Sequence, residues 1–235
     1  MIRPAHRLST KLRLKVNSGS NFCALCGRRS RESLLCPACQ NDLPRNPSGC
    51  RRCAQPLPRA GHLCGQCLRH PLAQQRTLAP FIYRFPVNAL VTGFKYQRRK
   101  VYGRALAEAW LNEVAIENDE RPDLLVPTPL HWRRRLNRGF NQAGELAAHW
   151  GKALGIPVDH GLCRRGLATP SQTGLDRAQR RRNLRRAFVI TQRPPPHVAV
   201  VDDVVTTGST GDALARALLR AGAERVEIWA LARTP

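Results

Sequence analysis

Eight of the nine cysteines of this 235-residue chain fall between Cys23 and Cys67, as four C-x-x-C pairs: Cys23/Cys26, Cys36/Cys39, Cys50/Cys53 and Cys64/Cys67. A C-x-x-C turn aims two thiolates at one ion, and two such turns complete a tetrahedral four-sulfur site of the kind zinc takes. Gly27, Gly49, Gly65 and Pro37 beside the pairs suit tight turns. The pattern predicts two structural Zn²⁺ ions. It leaves open whether the pairs combine in sequence, Cys23, Cys26, Cys36, Cys39 and then Cys50, Cys53, Cys64, Cys67, or in a cross-braced way. A disulfide framework would need an oxidising compartment, and a C-x-x-C ring is strained. An iron–sulfur cluster is the lesser metal alternative. No thiolate is left over for catalysis. Cys163 stands apart and reads as a small buried apolar side chain.

The second group of chemically capable residues is Val200-Val-Asp-Asp-Val-Val-Thr-Thr-Gly-Ser-Thr210. Two adjacent carboxylates, Asp202 and Asp203, close an apolar run that reads as a buried strand. Val204 and Val205 follow, and then Thr206, Thr207, Gly208, Ser209 and Thr210 supply hydroxyls and a glycine at a helix start. Backbone N–H groups, hydroxyls and the helix dipole converge there, which suits a phosphate monoester. The carboxylates suit the two hydroxyls of a ribose, directly or through hydrated Mg²⁺.

These groups need a scaffold. Leu124–Thr128 reads as a short buried strand stopped by proline, and His197–Val205 as a second, longer one. Arg225–Leu231 reads as a last strand, and Ala79–Phe85 as an aromatic-containing first one. Helices are expected around Leu106, Trp110 and Val114, over Asn141–Leu154 with Gly155 as its stop, and over Ser209–Arg220 with Gly222 as its end. Glu108, Glu113 and Glu145 read as solvated helix positions, and His70–Thr77 as a linker. Strands alternating with helices predict a doubly wound parallel sheet, with ligands at the C-terminal strand ends. Residues 1–20 form a basic tail, 21–70 a small Cys-rich zinc module, and 71–235 the α/β domain, expected to fold on its own core.

Charge narrows the partners. Lys and Arg total 39 against 16 acids, a net +23, which favours a polyanion such as nucleic acid or a phosphorylated small molecule. No apolar run approaches ~18 residues, so no membrane insertion is expected. The N-terminal stretch has no secretory pattern, so the cytoplasm is the expected compartment.

The V-V-D-D-V-V-T-T-G-S-T run resembles the signature loop of type I phosphoribosyltransferases, which bind 5-phosphoribosyl-1-pyrophosphate (PRPP). With it stand the four C-x-x-C pairs, P-T-P-L-H-W-R-R-R-L-N-R-G-F-N-Q at Pro127–Gln142, and Q-T-G-L-D-R-A-Q-R-R-R-N-L-R-R-A-F at Gln172–Phe188. Together these resemble the ComF family, named for DNA-uptake competence, across residues 21–235. The resemblance implies a type I phosphoribosyltransferase fold behind a double zinc-ribbon-like module. It implies ribose contacts from Asp202 and Asp203, a 5′-phosphate loop at Thr206–Thr210, and Mg²⁺ arriving with PRPP. It places a pyrophosphate loop at Thr128, Pro129, Leu130 and His131, and a mobile basic loop over Arg164–Arg186, including Arg177, Arg181 and Arg182. That arginine run equally suits a surface facing nucleic acid. Family members acting on hypoxanthine or guanine carry a third acid where this chain has Thr206, so those acceptors are not expected. No catalytic base is evident.

Two functions follow from the resemblance. One is transfer of a phosphoribosyl group to an unknown acceptor with release of pyrophosphate, in the service of DNA uptake or utilisation. The other is a non-enzymatic PRPP-sensing adaptor that binds single-stranded DNA. For the second, Phe94, Tyr96, Trp132 and Phe140 beside basic residues offer stacking surfaces. Competence proteins and a second copy of the chain, as a homodimer, are the further partners the resemblance suggests.

Overall fold

The computed structural model describes residues 21–59, 62–130, 139–166 and 187–235. The basic tail, His131, Trp132, and Arg177, Arg181 and Arg182 lie outside the described residues.

Long apolar runs pair as parallel strands because both of their faces are to be buried. β6 (His197–Val205) pairs with β7 (Arg225–Arg233) on one side and with β3 (Leu124–Pro127) on the other, all parallel. The outer edge of β7 carries β1 (Arg76–Leu78) and then β2 (Phe81–Ile82). Sequence reading expects one strand over Ala79–Phe85. Two are found instead, separated at Pro80, which has no N–H to give to a ladder. A separate antiparallel pair joins β4 (Cys163–Arg165) to β5 (Phe188–Ile190).

Alternate residues of each strand face opposite layers. Ala199 and Val201 of β6 pack with Trp229 and Leu231 under α3 (Val87–Tyr96), α4 (Lys100–Glu113) and α5 (Gln142–Leu154). Val198 and Val200 pack with Val226 and Ile228 under α6 (Ser209–Arg220). The sheet is thus covered on both faces, as the strand–helix alternation implies. Asn141 caps α5 by accepting from Ala143 N, and Gly155 ends it at φ 66°. Trp110, Trp150 and Trp229 form one buried cluster, with Trp110 stacked on Trp150 at 4.3 Å between ring centroids. Each indole N–H finds an acceptor: Ala230 O, Ala107 O and Glu227 Oε2 respectively.

Among its described residues the Cys-rich segment adds two short helices, α1 (Pro37–Asn41) and α2 (Gly65–Arg69). Its first half does not stand alone. Leu34, Leu35 and Leu43 share one continuous core with Phe81, Leu106 and Trp110. The Leu34 N–H donates to Glu108 Oε2 at 3.3 Å. Glu108 is therefore buried, not solvated, and burial raises its pKa. Glu113 and Glu145 pair with Arg45 and Lys100 at the surface. Nor is His70–Thr77 a free linker: Gln75 N donates to Val226 O, and Arg76 begins β1. Cys163 is buried, as expected. Among the described residues, no helix is long and apolar enough to cross a membrane.

Candidate functional site

The cysteines gather in two separate sets. Cys23, Cys26, Cys36 and Cys39 form one and Cys50, Cys53, Cys64 and Cys67 the other, each with its sulfurs within 4.8 Å of one another. This is the sequential pairing. The two sets repeat one design: the third cysteine, Cys36 or Cys64, is the N-cap of a short helix, and the fourth lies inside that helix. Cys26 and Cys36 sulfurs are 3.7 Å apart, and those of Cys53 and Cys64 3.6 Å. Four sulfurs at ~2.3 Å from a tetrahedral zinc would be about 3.8 Å apart, so the sets fit the ion. In the second set, Cys64 N donates to Cys50 Sγ and Cys67 N to Cys64 Sγ, contacts that suit thiolates. All four ligand positions are protein sulfurs, which marks these sites as structural.

The acidic pair sits where the sheet changes width. Pro127, the last residue of β3, pairs with Val201, and Thr128 N donates to Val201 O at 2.8 Å. Beyond that point β6 continues to Val205 paired, among the described residues, with β7 alone. The strand runs through both aspartates, over the His197–Val205 range read from the sequence. The chain leaves β3 through α5 to a parallel bridge at Val158 on the outer side of β3. It leaves β6 through α6 to β7 on the other side. The crevice between the ends of β3 and β6 is therefore the topological switch point, where open parallel sheets bind ligands.

Asp202 Oδ1 accepts from Asp203 N at 2.8 Å. Asp203 Oδ1 lies 2.9 Å from Lys95 Nζ, both side chains largely buried. Burial raises the Asp202 carboxyl to about 7, and the neighbouring Asp203 charge adds to the rise; the Asp203 N–H and Lys95 oppose it. Thr128 adjoins this edge, and its buried hydroxyl faces the Asp202 carboxyl, where it too opposes the rise. Its carbonyl accepts from Asn141 Nδ2, which ties the end of β3 to the start of α5. Pro129 and Leu130 follow, half-buried.

The hydroxyl-rich loop turns directly into α6. Gly208 is its N-cap at φ 75°, and a side chain there would be strained. A Cβ at Gly208 would also lie 3.3 Å from Leu72 Cδ1. Thr207 Oγ1 and Ser209 Oγ are hydrogen-bonded at 2.9 Å. Thr206, Gly208, Ser209 and Thr210 line a small concavity with Asp202 and Gln74.

Sequence reading misses the groups that brace this loop. Gln74 is buried, and its Oε1 has no hydrogen-bond partner among the described residues. Ala73 N donates to Asp212 Oδ1 of α6 at 2.7 Å. Arg233, at the end of β7, donates to Cys53 O at 3.0 Å, to Gln55 Oε1 at 2.7 Å and to Val205 O at 3.5 Å. One guanidinium thus joins the second cysteine set to the last residue of β6. Lys95 is missed as well. Of the aromatics expected to stack on bases, Phe94 is core, packed on Phe140 with ring centroids 5.4 Å apart, whereas Tyr96 is exposed.

Residues 20–68 match the double zinc ribbon domain family model. DNA utilization protein YhgH of Salmonella typhimurium is 38% identical over 209 residues, covering 85% of this chain and 90% of that protein. Competence protein F of Haemophilus influenzae is 32% identical with the same coverage. Competence protein ComFC of Bacillus subtilis is 24% identical over 94% of this chain and 82% of its own. A solved purine phosphoribosyltransferase from Pyrococcus horikoshii is 18% identical and covers 55% of this chain and 77% of its own at a TM-score of 0.29, too loose a superposition to argue from. With two zinc-ribbon cysteine sets, a parallel α/β domain behind them and near full-length relatives above 30% identity, the chain belongs to the ComF family of competence and DNA-utilisation proteins.

Proposed function

We propose that the crevice between β3 and β6 binds PRPP with Mg²⁺, within a phosphoribosyltransferase domain spanning residues 71–235. One observation carries the reading: two acids on a one-sided strand at the switch point stand directly before a glycine-containing loop at a helix start. Asp202 and Asp203 hold the ribose hydroxyls, and the N–H groups and hydroxyls of Thr206–Thr210 receive the 5′-phosphate. Thr128, Pro129 and Leu130 face the pyrophosphate, and the buried Thr128 hydroxyl lies beside Asp202 at that edge. Mg²⁺, when bound, supplies charge neutralisation of the pyrophosphate. The chain's own groups orient C1 of the ribose towards an acceptor and keep the phosphate fixed. With Thr206 following the acids, no carboxylate stands there to serve a hypoxanthine or guanine acceptor.

The zinc module of residues 21–70 serves this site as a brace, through the Arg233–Cys53 contact and through Arg52, which donates to Leu72 O and accepts from Gln74 Nε2 at its carbonyl. The names of its relatives support a role in DNA utilisation or competence, and the cytoplasm is the compartment we propose for it. A second reading keeps PRPP binding without turnover, as a sensor on single-stranded DNA; the net charge of +23 and the lack of an evident catalytic base favour it. Pyrophosphate release separates the two. The purified chain is incubated with Mg-PRPP and candidate acceptors, including adenine, pyrimidines and single-stranded DNA. Acceptor-dependent pyrophosphate supports the transferase. PRPP binding with no release above the acceptor-free rate supports the sensor.

A further inference from the structure

The least expected charge in the molecule is Lys95. Only five of its 39 basic residues are lysines, Lys11, Lys15, Lys95, Lys100 and Lys152. Lys95 is 17% exposed and its ammonium is 2.9 Å from Asp203 Oδ1, itself 13% exposed. It occupies the last turn of α3, where the helix dipole favours a cation.

Its position is fixed by the packing of α3 on α4. A Cβ at Gly93 would lie 2.6 Å from the Tyr102 ring, and one at Gly103 would lie 2.5 Å from the Phe94 ring. Each helix offers a glycine to the other's aromatic ring, so the two cannot slide past one another. Lys95 follows Gly93 and Phe94 directly, and Phe94 is held further by Phe140. The lysine stem is therefore delivered to the acids from a rigid base.

We infer that Lys95 is the exchangeable counter-ion of this site: it neutralises Asp203 without ligand and turns to the ligand's anionic group when a divalent cation takes over the carboxylates. This rests on the PRPP reading above. An ammonium and a divalent cation drawn to the same carboxylate repel one another at close range and so compete for it. A metal arriving with a phosphorylated ligand displaces the ammonium, and the same ligand presents oxygens for it to meet. Lysine suits this exchange. Its point charge swings on a four-carbon stem, whereas an arginine fork would clasp the carboxylate in a bidentate way. Lys95 also keeps the acids from drawing in a free metal before the ligand brings one. It binds ligand and needs no part in bond breaking.

The test titrates wild type, Lys95→Met, Lys95→Arg and the remote control Lys152→Met with Mg-PRPP by calorimetry, and with Mn²⁺ alone by paramagnetic relaxation. Thermal melts confirm that each is folded. The expected result is divergent: Lys95→Met binds Mg-PRPP about tenfold or more weakly, yet binds Mn²⁺ alone several-fold more tightly. Lys95→Arg keeps Mn²⁺ affinity at the wild-type level, and Lys152→Met matches wild type in both titrations. Unchanged Mg-PRPP affinity in a folded Lys95→Met overturns the inference and leaves the PRPP reading standing. Parallel weakening of both ligands also overturns it, because a lysine that only shapes the site would lower both. Wild-type protein that does not bind Mg-PRPP overturns the PRPP reading and this role with it.

Discussion

Replacing Asp202 by Asn should stabilise the protein while damaging its site. Asp202 is a carboxyl raised from 3.8 to about 7, first by burial and then by the charge of Asp203. An acid harder to ionise folded than unfolded costs stability once the unfolded chain gives up its proton. The cost is absent below about pH 4, grows as pH rises towards 7, and is flat above. Three pH units at 1.36 kcal/mol each set an upper bound of ~4 kcal/mol. By exposed area the side chain is only half-buried, so water relieves part of this, and about 2 kcal/mol remains. Asparagine keeps the size of the residue and the oxygen that accepts from Asp203 N. For a chain of this length, 2 kcal/mol corresponds to a Tm increase of roughly 4–8 °C. Melts of wild type and Asp202→Asn from pH 4 to pH 8.5 should show the gap opening with pH and levelling above 7. The same variant should bind Mg-PRPP at least about tenfold more weakly, having lost an ionised acceptor. A variant no more stable than wild type at pH 8, or a gap independent of pH, refutes this electrostatic account of the acidic pair.

Elemental analysis of the purified chain should give two zinc ions with all eight ribbon cysteines reduced; disulfides in place of metal would contradict the two sets. Cys26→Ser should lower the stability of the whole chain, not of the ribbon alone, because Leu34, Leu35 and Trp110 share one core. Near-ultraviolet dichroism of the tryptophan cluster, unchanged at all temperatures, would contradict that coupling. Gly208→Val should cost at least about tenfold in Mg-PRPP affinity, since φ 75° strains a branched residue and its Cβ would press on Leu72 Cδ1 at 3.3 Å. Calorimetry showing wild-type affinity in a folded Gly208→Val would remove the loop from the site.

Much of this arrangement was legible because its signals are local. The C-x-x-C spacing, the Gly155 stop and the run from Val200 to Thr210 each lie within a few residues, and all fold as their chemistry demands. Illegible from sequence were the contacts made across long separations. Lys95 reaches Asp203, Arg233 reaches Cys53 and Ala73 reaches Asp212, and no periodicity announces any of them. Glu108 looked solvated because its helix supplies no partner; its partner, Leu34 N, comes from the zinc ribbon. Phe94 looked like a stacking surface because a basic neighbour follows it, but the Gly103 notch draws it into the core. The early break of β3 relative to β6, which leaves the acids beyond the end of β3, is a matter of register and is invisible before the strands are paired.

The central claim is that Asp202, Asp203 and the Thr206–Thr210 loop form one site for a magnesium-bound phosphoribosyl ligand. Isothermal titration of the zinc-loaded wild type and of Asp203→Asn with PRPP, with and without Mg²⁺, tests it most directly. The account predicts saturable, magnesium-dependent binding to wild type. Removing the Asp203 charge should weaken it by at least about tenfold, the scale of one charge-assisted contact. No heat and no saturation with wild type at millimolar Mg-PRPP, or equal binding by wild type and a folded Asp203→Asn, would contradict it.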